Sequence, residues 1–230
     1  MFKAVVFDIG RTLVGYNKPL NWSALYRPAL EHIAVECGYH FEESDYQNAI
    51  KVLTKYNTRI NPREYEVSST QIFSEIVNAI NVSICDLEKV KRLFYSYFRR
   101  DVIVYPEVVN TLALIRKKGI IIGTLSDVAY GMDNEYVLDD IVTLLSYIDF
   151  PYTSNDVGYR KPSIKGLKIL AEKMNVDIAE IVFVGDEEKD MVCANRAGAY
   201  SVLINRDTVS KKYGQKREIA SLADLLSILN

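Results

Sequence analysis

Three stretches of the chain are apolar almost without interruption: Ala4-Val5-Val6-Phe7 ahead of Asp8, residues 120–125 ahead of Ser126, and Ile181-Val182-Phe183-Val184 ahead of Gly185-Asp186. Apolar character that does not alternate implies burial on both faces, as in the strands of a parallel sheet. Amphipathic stretches lie between them. One begins after Pro106 and carries Val108, Leu112 and Ile115 before Gly119; another follows Pro162 with Ile164, Leu167 and Leu170; a third ends at Gly198. Residues 199–204 supply a further strand, and Ser221 is placed to cap a last helix bearing Leu222, Leu225, Leu226 and Leu229. Alternating strands and helices predict an α/β fold with a doubly wound parallel sheet.

Residues 16–101 break this alternation and read as four helices. Trp22, Leu25, Ala29, Leu30, Ile33, Ala34 and Cys37 keep helical spacing up to Gly38. A weaker stretch surrounds Tyr46, Ile50 and Leu53, Asn61-Pro62 is expected to open a helix bearing Ile72, Phe73, Ile76, Val77 and Ile80, and Asp86 opens one with Leu87, Val90, Leu93, Phe94, Tyr97 and Phe98. The expected division is a core of residues 1–15 and 102–230 interrupted by a helical domain, 16–101. An insertion directly after the first strand sits over the carboxyl end of the sheet, where open α/β sheets bind ligands. Its closure would keep water from the chemistry.

The 230 residues, 49% hydrophobic and 25% charged, suit an ordinary globular protein. A net charge of -2 offers no field for a polyanion or an anionic membrane, so neither nucleic acid nor membrane is an expected partner. No apolar run approaches a membrane span, and the first residues lack a signal-peptide core. Cys37, Cys85 and Cys193 form no CxxC pair, which fits a reducing cytoplasm. His32 and His40 have no third ligand at suitable spacing, so ordinary structural roles are expected of both. The aromatic stripe of Phe94, Tyr97 and Phe98 is expected in the core of the insert, and Lys211, Lys212, Lys216 and Arg217 in a solvated loop.

Polar residues that end buried parallel strands converge on one edge. Here they are Asp8, Ser126 with Asp127, and Asp186 with Asp190 four positions on. Three carboxylates brought together repel unless a cation joins them, and hard oxygen ligands favour Mg²⁺, which shares its shell with phosphate. Lys161 could hold a transferring phosphoryl group, Ser126 could hydrogen-bond its oxygens, and Asp8 is free to attack it. Arg11, permanently charged, is suited to binding an anion.

The order Asp8-Ile9-Gly10-Arg11-Thr12, then Ser126 after an apolar strand, Lys161-Pro162, and Gly185 to Asp190 resembles the four motifs of the haloacid dehalogenase superfamily, over nearly the whole chain. The resemblance implies a Rossmannoid core with a helical C1 cap. It implies Asp8 as nucleophile and Mg²⁺ ligand, the Gly10 carbonyl and Asp186 as further ligands, and Asp190 bound directly or through water. Ser126 and Lys161 would hold the phosphoryl oxygens, with Thr12 and Asp127 orienting the loop and the phosphate site. The expected activity is Mg²⁺-dependent hydrolysis of a small phosphorylated metabolite through an aspartyl-phosphate, by a monomer or homodimer.

Superfamily phosphatases usually carry a second aspartate, the general acid, where this chain has Gly10. Tyr16 and the tyrosines of the insert are candidate replacements, and the sequence does not select among them. The superfamily's metal-independent 2-haloacid dehalogenases also lack that aspartate, so an attack on carbon stays open, as does a phosphate-binding sensor with weak turnover. Gly185-Asp186 and its acidic surroundings favour the metal-binding phosphatase form.

Overall fold

From the amino end the chain forms β1 (Ala4–Phe7), β2 (Val14–Tyr16) and then helices α1 (Trp22–Cys37), α2 (Glu43–Tyr56), α3 (Ser69–Ala79) and α4 (Leu87–Phe98). It continues through β3 (Val102–Val104), α5 (Val108–Lys117), β4 (Ile121–Ser126), α6 (Asn134–Asp139), β5 (Phe150–Thr153) and α7 (Ser154–Val157). It ends with α8 (Lys165–Met174), β6 (Ile181–Gly185), α9 (Glu188–Ala197), β7 (Tyr200–Ile204) and β8 (Arg217–Ile219). This computed structural model describes residues 1–16, 21–84, 86–98, 102–207 and 209–229. Cys85 and Asp101, the latter at the expected end of the helical insert, lie outside them.

Six strands make one parallel sheet in the order β5-β4-β1-β6-β7-β8. Strand β1 is central, and its four residues are completely buried because each face meets a separate apolar layer. Val5 and Phe7 pack with Leu112 and Ile115 of α5 and with Leu222 and Leu225. Ala4 and Val6 pack with Leu167 and Leu170 of α8 and Cys193 of α9. Each such Val, Leu, Ile or Phe side chain contributes roughly 1.5–3 kcal/mol by burial, which explains the uninterrupted apolar run. After β1 the chain builds outward on one side as β4 and β5, then on the other as β6, β7 and β8. The carboxyl ends on either side of β1 therefore form a topological switch point.

Four strands lie outside the apolar runs. Two of them, β5 with its Pro151 and β8 with its charged start, are the sheet's edges, where neither a full ladder nor two buried faces is demanded. The others, β2 and β3, form a three-residue antiparallel pair that leads into and out of the insert. Ser221 does head the last segment, as its capping residue, but residues 222–227 form a 3₁₀ turn and not an α-helix; burying Leu222 and Leu225 three apart suits three residues per turn.

Helix α1 begins at Asn21, whose side chain accepts from the Ala24 amide, and stops at Gly38 in the left-handed conformation. Its Trp22 stacks on Phe98 of α4 at 3.9 Å between ring centroids, so the expected aromatic stripe does face the insert's interior. One expected boundary moves. Asn61-Pro62 opens no helix, and α3 starts at Ser69 behind an N-cap at Ser68. The residues between lie against the core in an extended strap: the Glu66 amide donates to Gly158 O at 3.0 Å and the Arg160 amide to Glu64 O at 3.0 Å. Pro-Arg-Glu-Tyr-Glu offers no apolar face to bury, so these bonds outcompete a local helix. No helix among the described residues is long and apolar enough to cross a membrane.

Candidate active site

Asp8 follows β1 and extends its ladder by one bond, its amide donating to Val184 O at 2.9 Å. The chain then turns tightly, with the Arg11 amide on Val14 O at 2.6 Å and the Leu13 amide on Ile9 O at 2.9 Å. Arg11 pays for this turn with φ of 57°, in the left-handed region. At the end of β6, Gly185 is required by a close approach. A Cβ there would lie 2.5 Å from the Asp190 carboxylate, which folds back over it while accepting the Glu187 amide at 2.9 Å.

These two turns and the loop before α8 place their charges together. Lys161 Nζ lies 2.6 Å from Asp8 Oδ1 and 2.8 Å from Asp190 Oδ1, with its side chain only 1% exposed. Ser126 Oγ donates to the same Asp8 oxygen at 3.1 Å. Asp8, Asp186 and Asp190 each offer an oxygen within 4.8 Å of the others, and all three are buried. Asp127 accepts the Lys161 amide at 3.0 Å and faces Lys189 Nζ at 3.0 Å. Six of the expected residues thus converge: Asp8, Ser126, Asp127, Lys161, Asp186 and Asp190.

Burial and repulsion tune these acids in opposite senses. Burial, reinforced by Asp190 and only partly offset by Lys161, raises Asp8 from 3.8 to about 6. Burial beside Asp8, Asp190 and Glu187 raises Asp186 to about 8. Burial would also raise Asp127, but Lys189, Lys161 and Arg160 outweigh it and hold this group at about 2. Lys161 goes well above its usual range because Asp190, Asp8 and Asp127 overcome its burial. Asp8 and Asp186 thus retain protons where isolated carboxylates would not, as expected of a site with more negative charge than Lys161 can balance. Three hard oxygen donors short of positive charge fit a hard divalent ion such as Mg²⁺.

The profile of the haloacid dehalogenase-like hydrolases matches residues 2–198. The chain belongs to this family. Among curated relatives, the glyceraldehyde 3-phosphate phosphatase of Methanopyrus kandleri is 27% identical over 214 residues, covering 90% of this chain and 85% of the relative. A solved HAD phosphatase from Thermococcus onnurineus superposes with a TM-score of 0.68 at 23% identity, over 99% of this chain and 98% of the other. A 2-haloacid dehalogenase from Pseudomonas syringae superposes with a TM-score of 0.67 at 20% identity, over 100% and 98%. The last two establish the hydrolase fold, which phosphatases and dehalogenases share.

Three expected residues stand apart from the carboxylate cluster of this hydrolase. Arg11 reaches its rim, with Nε 3.3 Å from Asp186 and a terminal nitrogen 3.1 Å from Asp207, its side chain half exposed. Thr12 is fully buried; its carbonyl accepts from Arg206 at 3.0 Å, while its hydroxyl has no hydrogen-bond partner among the described residues. Any orienting part it plays therefore runs through its backbone. Gly10 carries no side chain, and a Cβ built there would sit 3.7 Å from the Tyr16 hydroxyl.

Other site residues were not foreseen. Lys189 lies inside the Gly185 to Asp190 motif and bridges Asp127 to Glu187, 3.0 Å from each. Arg59 of the insert meets Glu187 at 2.6 Å across the rim. On another side of the insert, buried Arg160 pairs with buried Glu66, which also accepts from Ser154 Oγ at 2.5 Å. Nearby, Tyr130 of the core enters the insert's aromatic cluster between Trp22, Tyr26 and Phe94. Only Lys189 carried a local signal, its place in a motif; Glu66 and Arg160 are 94 residues apart and meet only in the fold.

Proposed function

We propose that this hydrolase is a Mg²⁺-dependent phosphatase of small phosphorylated metabolites, working through an aspartyl-phosphate on Asp8. The observation that carries the reading is the Lys161 ammonium held between Asp8 and Asp190 while Asp186 completes a buried acidic trio. Asp8, Asp186, Asp190 and the Gly10 carbonyl hold the ion, which when bound offsets charge on the phosphoryl oxygens and draws electrons from phosphorus. Lys161 and Ser126 hold the phosphoryl oxygens. Asp127, fully ionised and fixed by Lys189, holds the Lys161 backbone in place. Arg11 binds an anionic part of the substrate at the rim.

Asp8 then attacks phosphorus, the ester oxygen leaves, and water hydrolyses the aspartyl-phosphate in a second step. Residues 16–101 act as the cap over this site, and residues 1–15 and 102–230 as the catalytic core. The cap is joined to the core by the buried Arg160–Glu66 seam and by Tyr130, so access opens at the exposed Arg59–Glu187 contact. The dehalogenase reading is weaker on physical grounds: attack on carbon needs no ion, and the repulsion within the buried trio would be relieved by Lys161 only in part.

Glyceraldehyde 3-phosphate, from the name of the Methanopyrus relative, is a suitable first substrate. Turnover is expected with Mg²⁺, none in EDTA, and a loss of at least about 10³-fold in Asp8→Asn, whose amide is a far poorer nucleophile. Hydrolysis of a chlorinated acid in EDTA, with none of any phosphate ester in Mg²⁺, would replace this reading. Tight Mg²⁺ binding without turnover of any phosphate ester would favour a sensor.

A further inference from the structure

We propose that the Tyr16 phenol is the acid that protonates the departing ester oxygen, an assignment that rests on the phosphatase reading above. An alkoxide is a poor leaving group, and Gly10 offers no proton. The space beside Gly10 is not open, however. A Cβ there would meet Tyr16 Oη at 3.7 Å and its ring at 3.8 Å, ordinary contact distances. The phenolic oxygen thus occupies the neighbourhood that an acidic side chain at position 10 would use.

The backbone fixes this relation. Residues 9–14 form the tight turn described above, and β2 places Tyr16 opposite Val102. Gly15 lies under the ring of Tyr105, whose amide donates to Leu13 O at 3.2 Å, so the hairpin carrying Tyr16 is clamped to the turn carrying Gly10.

A phenol, with an ordinary pKa near about 10, is a weaker acid than a carboxyl group but far stronger than an alcohol, so transfer to an alkoxide is downhill. In the first step the Asp8 oxygen bonds to phosphorus, the P–O ester bond breaks with its electron pair on oxygen, and the Tyr16 proton moves to that oxygen, releasing an alcohol. In the second, water attacks phosphorus, the aspartyl P–O bond breaks to restore Asp8, and the water's proton returns to the Tyr16 phenolate. The sum is ester plus water giving alcohol plus phosphate.

The test compares glycerol phosphate, which needs a proton on its leaving oxygen, with p-nitrophenyl phosphate, which does not. In the unmodified enzyme the two kcat values should lie within about tenfold of each other, and Tyr16→Phe should lower the alkyl-to-aryl ratio by about 10²-fold. Gly10→Asp added to Tyr16→Phe should recover most of that ratio, because the Cβ fits and its carboxyl group enters the same space. A ratio unmoved by Tyr16→Phe overturns the assignment. So does an unmodified enzyme that cleaves the aryl ester more than about 10³-fold faster than the alkyl ester, a result that needs no variant and leaves the phosphatase reading standing. Failure to cleave either ester with Mg²⁺ removes that reading and this assignment together.

Discussion

The floor and the rim of the site use the same ion-pair chemistry in different surroundings. On the floor, Lys161 and Asp190 have side chains 1% exposed, and Lys161 faces Asp8 and Asp190 at 2.6 and 2.8 Å. On the rim, Arg11 meets Asp207 at 3.1 Å with side chains 55% and 44% exposed, and Arg59 meets Glu187 at 2.6 Å with Arg59 80% exposed. Water screens the rim pairs and competes for their hydrogen bonds, so each contributes little to stability. The floor has no such relief. Each charge there is tolerable only because the others are present, and deleting one strands the rest in a poorly polarisable interior. The floor is thus fixed by mutual dependence, and the rim pairs can exchange partners at little cost.

The sharpest way to break this contrast is to remove one cation from each region. Lys161→Met leaves Asp8, Asp190 and Asp127 buried without their shared ammonium, and should cost about 3 kcal/mol or more in EDTA, measured by urea unfolding at pH 7. Asp207→Asn on the rim should change stability by less than about 0.5 kcal/mol. Similar losses for the two variants would show that exposure does not separate the regions.

A second effect is dominated by the floor. Asp8 and Asp186 have folded values of about 6 and about 8, above the ordinary 3.8 of an unfolded chain. The folded state therefore binds protons more tightly, and its advantage declines as pH rises through the interval from about 4 to about 8. Asp127 and Glu187, held at about 2, act oppositely, but their stabilisation is nearly complete above about pH 5 and is lost as pH falls from there toward about 2. In EDTA the melting temperature should fall from pH 5 to pH 8, and Asp186→Asn should flatten that fall. Mg²⁺ at about 100 times its Kd should restore about 2.7 kcal/mol at pH 8 and less at pH 5, where protons compete with it. A melting temperature that climbs over this range in EDTA, or that ignores Mg²⁺ at pH 8, would contradict a floor short of positive charge.

How far the sequence revealed these regions follows from the same difference. Strands β1, β4 and β6 were legible because burial on both faces demands unbroken apolar runs. The floor acids were legible because they stand at the ends of those runs. Strands β5 and β8 were not, since edge positions tolerate Pro151 and Arg217. The strap before α3 leaves no local signal, because its hydrogen-bond partners lie some ninety residues away, at 158–160. Arg59, Glu66 and Arg160 act through long side chains whose reach depends on where the backbone is carried, and no local pattern encodes that. Gly10 was conspicuous from sequence alone, but only the fold brings Tyr16 beside it.

The smallest expected effect tests whether the rim is kept for stability at all. Arg11 holds a left-handed backbone at φ 57°, which costs a residue with a Cβ roughly 1–2 kcal/mol. Its half-exposed pairs with Asp186 and Asp207 return less than that. Arg11→Gly relieves the turn, since glycine adopts this conformation freely, although it adds backbone freedom to the unfolded chain. The net should be a stabilisation of about 0.5–1 kcal/mol in denaturant unfolding with EDTA present. Arg11→Ala, which keeps the strain and loses the pairs, should be slightly less stable than the unmodified protein. If the rim arginine serves an anionic substrate, Arg11→Gly should also raise KM more than it lowers kcat. A more stable protein with weakened substrate binding would show strain retained for recognition; a protein destabilised by Arg11→Gly would mean that the rim pairs outweigh the strain of the turn and that exposure alone does not make them weak.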